Sequence, residues 1–175
     1  MDRYSPSNDM ELYKLYPLEQ LPNFFEKELA RLEPSLDLNL SFQNKKYIRD
    51  LSLEFKKDFK IFLQNTLDKE EVIVSEGWIN YIKYDKVMNG LDWHNESGLG
   101  ANKDTIVEDP YMGIIWIDGD SNCGGEFKFI HDITNEIVLV PFNPPNLMIM
   151  TKETIHAINH YSSSKHRISL NFNFR

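Results

Sequence analysis

The 175 residues carry a formal charge of −8, with 41% hydrophobic and 13% aromatic residues. That is one domain's length with enough apolar material for a real core, and the single Cys123 excludes an internal disulfide. The acidic balance argues against a protein that grips nucleic acid through its phosphates. The Lys45-Lys46 and Lys56-Lys57 pairs read as solvated faces. The longest apolar runs, Ile137 to Val140 and Leu147 to Met150, are far too short to span a bilayer. The start, MDRYSPSNDMELY, lacks the apolar stretch of a secretory signal. With the lone cysteine, this predicts a cytoplasmic protein, in the host cytoplasm for a viral source.

In chain order, the first half reads helical. Leu21, Phe25, Leu29 and Leu32 recur at helical spacing between Leu18 and Leu32. Ile48, Leu51, Phe55, Phe59 and Phe62 do the same between Tyr47 and Leu63, with charges between them. Each helix has one apolar stripe to cover. After Asp68 the pattern becomes short, β-branched and aromatic: Val72 to Val74, Trp78 to Tyr84, Tyr111 to Ile117, Glu126 to Ile130, Ile137 to Val140 and Leu147 to Met150. Asn89-Gly90, Asp118-Gly119-Asp120 and Asn143-Pro144-Pro145-Asn146 punctuate these strands. Asn95 to Pro110 has no periodicity and reads as a loop, placed where a lid would sit. The last segment alternates. Ile168, Leu170, Phe172 and Phe174 face one way; Arg167, Ser169, Asn171 and Asn173 face the other. Many short strands separated by turns suggest a sandwich or small barrel.

The chemistry concentrates in His94-Asn-Glu96, His156 and Arg167-Ile-Ser169. If the first segment is extended, His94 and Glu96 leave the same face and can reach one ion, with His156 arriving from a distant strand. Two histidines and a carboxylate hold one face of an iron and leave the other open. Zinc is the competing metal, although no His-Glu-x-x-His stands here. Arg167 can fork onto a carboxylate and Ser169 can add a hydrogen bond. Either histidine taken singly, or an exposed polar strand face, would be unremarkable; order and company carry the set. His160 and His166 are near enough to His156 in sequence to exchange roles with it. Asp92, two residues before His94, reads as a turn residue.

Together these pieces resemble the 2-oxoglutarate- and Fe(II)-dependent oxygenases, in particular the prolyl-4-hydroxylase-like branch. The resemblance runs from about Trp78 to Arg175 and rests on His94-x-Glu96, Gly124-Gly125-Glu126-Phe127, His156 and Arg167-x-Ser169. It implies an α+β, mainly β fold: a double-stranded β-helix, or cupin-like jelly roll, with N-terminal helices bracing one sheet. The expected organisation is a single domain over 1–175, with 1–68 as helical support and 69–175 as the β-helix that carries the metal site. It implies Fe(II), 2-oxoglutarate and O2, with His94, Glu96 and His156 on the metal. Arg167, Ser169 and Tyr84 would bind the co-substrate, with Tyr81 the alternative tyrosine. Trp116 reads as core, with pocket lining the other possibility. The family usually has Asp where Glu96 stands, so the carboxylate arm is one methylene longer here.

The implied reaction hydroxylates an unactivated C–H and converts 2-oxoglutarate to succinate and CO2. A protein or peptide prolyl side chain is the first expectation for the substrate. A free amino acid, small metabolite or nucleobase is the alternative. A non-catalytic jelly-roll binding module and a zinc hydrolase are the competing readings from other classes.

Overall fold

In a computed structural model the described residues are 13–36, 43–82, 91–95, 109–131 and 133–175. Tyr84 and Glu96 lie outside them, as do the Asn89-Gly90 turn and nearly all of the segment from Asn95 to Pro110. The described residues form ten strands: β1 (Tyr13–Pro17), β2 (Gln43–Tyr47), β3 (Val74–Ile82), β4 (Leu91–His94), β5 (Tyr111–Asp118), β6 (Phe127–Ile130), β7 (Ile137–Val140), β8 (Asn146–Thr151), β9 (His156–Ile158) and β10 (Arg167–Phe174). Two α-helices, α1 (Asn23–Leu32) and α2 (Leu53–Leu67), precede β3. None of the described helices is long and apolar enough to cross a membrane.

The strands make two antiparallel sheets, ordered β1-β8-β5-β10-β3-β2 and β4-β9-β6-β7. This interleaving of late and early strands is that of a double-stranded β-helix. The strands expected after residue 110 lie within a residue or two of their predicted places. Two strands in the first 68 residues were not anticipated. β1 and β2 add themselves to the two edges of the larger sheet, against β8 and β3. Both are five residues long, and their burial comes from neighbours distant in sequence, which periodicity does not register. Asp92 lies within β4 and not in a turn.

The helices cover the outer face of the larger sheet. Phe25 and Leu32 of α1 and Phe55, Phe59 and Leu63 of α2 share one buried cluster with Ile79, Ile115, Leu170, Phe172 and Phe174. Phe59 meets Phe172 edge-to-face at 5.2 Å. α2 begins later than its apolar stripe suggests. Ile48 lies in a short 3-10 turn and Leu51 just beyond it, and Ser52 then caps the helix by accepting from the Phe55 N–H at 3.1 Å.

The two helices are tied by a buried carboxylate. Glu28, only 4% exposed, accepts from the Ser52 N–H at 2.9 Å, the Ser52 hydroxyl at 2.8 Å and Arg31 Nε at 3.1 Å. Burial alone would raise its pKa, but these bonds and the Arg31 charge hold it below the ordinary glutamate range. Its stabilisation is therefore present above the unfolded-state pKa, about 4.3, and is lost as pH falls through the lower folded value. Glu28→Ala should cost about 2–3 kcal/mol by orphaning the Ser52 donors. Thermal melts should show the gap to wild type at pH 7 shrinking below about pH 4.

Between the sheets, cross-strand pairing sets residues in rows. On the inner face of the larger sheet one row runs Tyr13, Met150, Met112, Asn173, Glu76. Two steps along the strands, another runs Asn146, Trp116, Ser169, Asn80. In the smaller sheet one row runs Val138, Phe129, His156, His94. Tyr13 meets Phe129 edge-on at 5.3 Å, so the Tyr13 row and the histidine row lie at the same end of the sandwich. Apolar side chains fill the half of the inter-sheet space near β8, β6 and β7, whereas Asn80, Arg167, Ser169 and Asn173 gather on β10 and β3 beside Trp78 and Ile82.

Candidate active site

His94 ends β4 and His156 begins β9, and the two are register partners. Their ring centroids are 4.4 Å apart, so both imidazoles serve one small volume. His156 is buried and stacks on Phe127, 5.0 Å between centroids. Its Nδ1–H donates to the Thr154 carbonyl at 2.9 Å. A carbonyl can only accept, so this bond fixes the tautomer and leaves Nε2 as the nitrogen with the lone pair. A metal-binding imidazole is commonly oriented in this way. The donor chemistry thus suits a divalent metal. Among the described residues no third His, Cys, Asp or Glu joins the pair; Glu96 lies outside them.

The other histidines are placed elsewhere. His131 accepts from the backbone N–H groups of Ile133 and Thr134 in a turn. His160 is exposed and contributes its carbonyl to the Gly125 N–H. The register pairing selects His156, beside His94, from three histidines that are close in sequence.

Arg167 and Ser169 point inward, not to water. Ile168, Leu170, Phe172 and Phe174 pack on the helix side, so the alternate positions of β10 face the smaller sheet. Arg167 is 1% exposed. Its guanidinium lies over the Phe142 ring at 4.7 Å and donates to the Gly125 carbonyl at 3.3 Å and the Ser169 hydroxyl at 3.4 Å. Its Nε has no partner, and no carboxylate of the described residues pairs with it. Burial pulls its pKa down to about 10, which still leaves a cation at neutral pH. A buried cation without an anion is costly, and the arrangement calls for an incoming carboxylate.

The glycine pair has a structural reason. Gly124 and Gly125 have φ of +84° and +78°, which glycine adopts without strain. A Cβ on Gly125 would stand 3.1 Å from Arg167 Nε and from the Tyr161 ring. The bare backbone is what allows the Gly125 carbonyl to approach the guanidinium.

Trp116 belongs to the inter-sheet core, beside Ser169 in register, with its indole N–H buried and unpartnered. It meets Phe142 edge-on at 5.9 Å, so it flanks the Arg167 pocket as a second orphan donor. Phe142 and Tyr161, which complete this pocket, gave no signal in the sequence, since an aromatic in a loop has no periodicity. Tyr81 turns the other way. It sits in the helix-side cluster, where burial, with Glu33 and Glu28 nearby, pushes its phenol up. It does not face the inter-sheet space.

No protein-family profile matches the chain, and no curated protein matches its sequence. Solved structures do match. A Pseudomonas putida prolyl-4-hydroxylase superposes with a TM-score of 0.58 at 12% identity, covering 94% of this chain and 92% of that one. A viral collagen prolyl hydroxylase from Paramecium Bursaria Chlorella virus-1, in its 2OG complex, gives 0.57 at 14% identity, covering 95% and 97%. The fold is that of the prolyl-4-hydroxylase-like 2-oxoglutarate and Fe(II) oxygenases. The same fold carries other chemistry. The α-ketoglutarate-dependent carbocyclase SnoK from nogalamycin biosynthesis gives 0.66 at 12% identity, covering 93% and 79%.

Proposed function

We propose that this protein is a 2-oxoglutarate- and Fe(II)-dependent dioxygenase that hydroxylates a protein or peptide prolyl side chain. The single observation that carries the reading is Arg167, a buried cation whose Nε is unpartnered and which has no carboxylate partner among the described residues. It stands in a fold whose known members include 2OG-Fe(II) oxygenases. A zinc hydrolase gives this residue no role.

His94, His156 and Glu96 would hold the metal, His156 through Nε2 because Nδ1 is committed to Thr154. Arg167 and Ser169 would take the far carboxylate of 2-oxoglutarate, with the Trp116 indole N–H as a further donor. Tyr84 is retained from the resemblance as a co-substrate contact. Bound Fe(II) with 2-oxoglutarate and O2 would supply the oxidation, releasing succinate and CO2 as the C–H is hydroxylated. Met112, Ile114, Met148, Phe127 and Phe129 line the apolar side of the space and keep water from it. The prolyl assignment draws on similar structures, a prolyl hydroxylase in complex with a hypoxia inducible factor peptide fragment from Trichoplax adhaerens among them. A free amino acid or small metabolite is the alternative substrate.

The test is anaerobic. Fe(II) and 2-oxoglutarate added to metal-free protein should produce the weak visible charge-transfer band of a chelated 2-oxo acid. Folded protein that forms no band would overturn the reading.

A further inference from the structure

Two polar groups on the Tyr13 row of the larger sheet, at the histidine end of the sandwich, are not used by the proposed co-substrate site. Asn173 is 1% exposed, and its side-chain N–H2 has no hydrogen-bond partner among the described residues. A buried amide donor left unpaired costs about 1–3 kcal/mol, so its retention calls for an acceptor that arrives from outside. Glu76 is its register partner on β3 and faces the same side. The Glu76 carboxylate is half-buried and makes no ion pair or hydrogen bond among the described residues. Among the described residues, Arg175 at the end of β10 and Lys45 on the neighbouring β2 have other partners. Arg175 donates to Asp109 at 3.4 Å, and Lys45 holds its ammonium 5.3 Å from the Trp78 ring centroid.

Position gives these groups a meaning. Tyr13 on Phe129 sets the Asn173–Glu76 row at the histidine end. Arg167 lies six residues back along β10, about 20 Å away at strand rise. A co-substrate anchored on Arg167 and reaching the histidines therefore approaches this row from one side. The molecule to be oxidised must come from the other. Trp78, paired with Asn171 one step inward, supplies an aromatic wall.

We propose that Glu76 and Asn173 read the prime substrate, and that this substrate is a peptide with a cationic residue beside its target. Glu76 takes the cation, and the Asn173 amide donates to a backbone carbonyl. The net charge of −8 favours the approach of such a partner. The inference rests on the oxygenase reading above and adds a substrate class to it.

The test uses the full chain with Fe(II) and 2-oxoglutarate under anaerobic conditions. Two fluorescent octapeptides, each with a central proline flanked by either lysines or glutamates, are titrated by anisotropy. The lysine peptide should bind about tenfold tighter, and Glu76→Gln should remove that preference. Asn173→Ala should weaken both peptides, and circular dichroism melts report whether its core is intact. The half-buried Glu76→Gln keeps the test decisive if Asn173→Ala does not fold. Equal binding of the two peptides, binding of neither, or a preference that persists in Glu76→Gln would overturn the proposal. The charge-transfer band separates the two levels. Its absence in wild type defeats the oxygenase reading, whereas its presence without a lysine preference defeats only the recognition pair.

Discussion

Replacing Arg167 with methionine should weaken 2-oxoglutarate binding about 100-fold while leaving the ligand-free fold no less stable. The guanidinium is buried with no anion among the described residues, so on the proposed reading its desolvation is offset when a carboxylate binds. Charge-assisted hydrogen bonds contribute about 1.5–3 kcal/mol each, and loss of the bidentate contact accounts for the expected fall in affinity. Methionine fills much of the same volume over Phe142 without a charge. Denaturant unfolding of the ligand-free protein should give equal or slightly higher stability, by about 0–2 kcal/mol. Titration of the charge-transfer band measures the binding side. A variant that loses stability and still binds 2-oxoglutarate normally would mark Arg167 as a structural residue.

His156→Ala should abolish the band altogether and reduce turnover by more than the roughly 10–100-fold that follows loss of a metal ligand's hydrogen-bond partner. The substitution removes the imidazole whose Nε2 the Thr154 carbonyl prepares, together with its stack on Phe127. His131→Ala should retain the band, because that ring caps a turn. His160→Ala should retain it as well, since His160 is exposed and His156 is the register partner of His94. Anaerobic absorbance spectra of the three variants, with circular dichroism to verify folding, separate the assignments. A band that survives in His156→Ala and vanishes in His160→Ala would transfer the ligand role.

The periodicity of the sequence was enough for the two helices and for the strands after residue 110 other than the three-residue β9. Phe55 and Phe59 recur every helical turn, and the β10 residues alternate cleanly, because each segment's burial follows its own repeat. β1 and β2 escaped it. They are short edge strands whose place depends on β8 and β3, far away in the chain. The candidate chemistry stood in the sequence as residue types in order: His94, His156, Arg167, Ser169. Their spatial company was not. Which of His156, His160 and His166 partners His94 is a matter of register, and no local pattern encodes it.

The amino-acid sequence by itself determined that one side of β10 is apolar and the other carries Arg167, Ser169, Asn171 and Asn173. Only the tertiary structure decided what that polar side meets. An alternating strand has the same pattern whether its polar face is wetted or enclosed. Here the helices cover the apolar face, and the smaller sheet closes over the polar one. Among the described residues, that enclosure buries the arginine without an anion and the asparagine N–H2 without an acceptor. Water would satisfy both on an exposed face; between the sheets, a ligand is proposed to take that part.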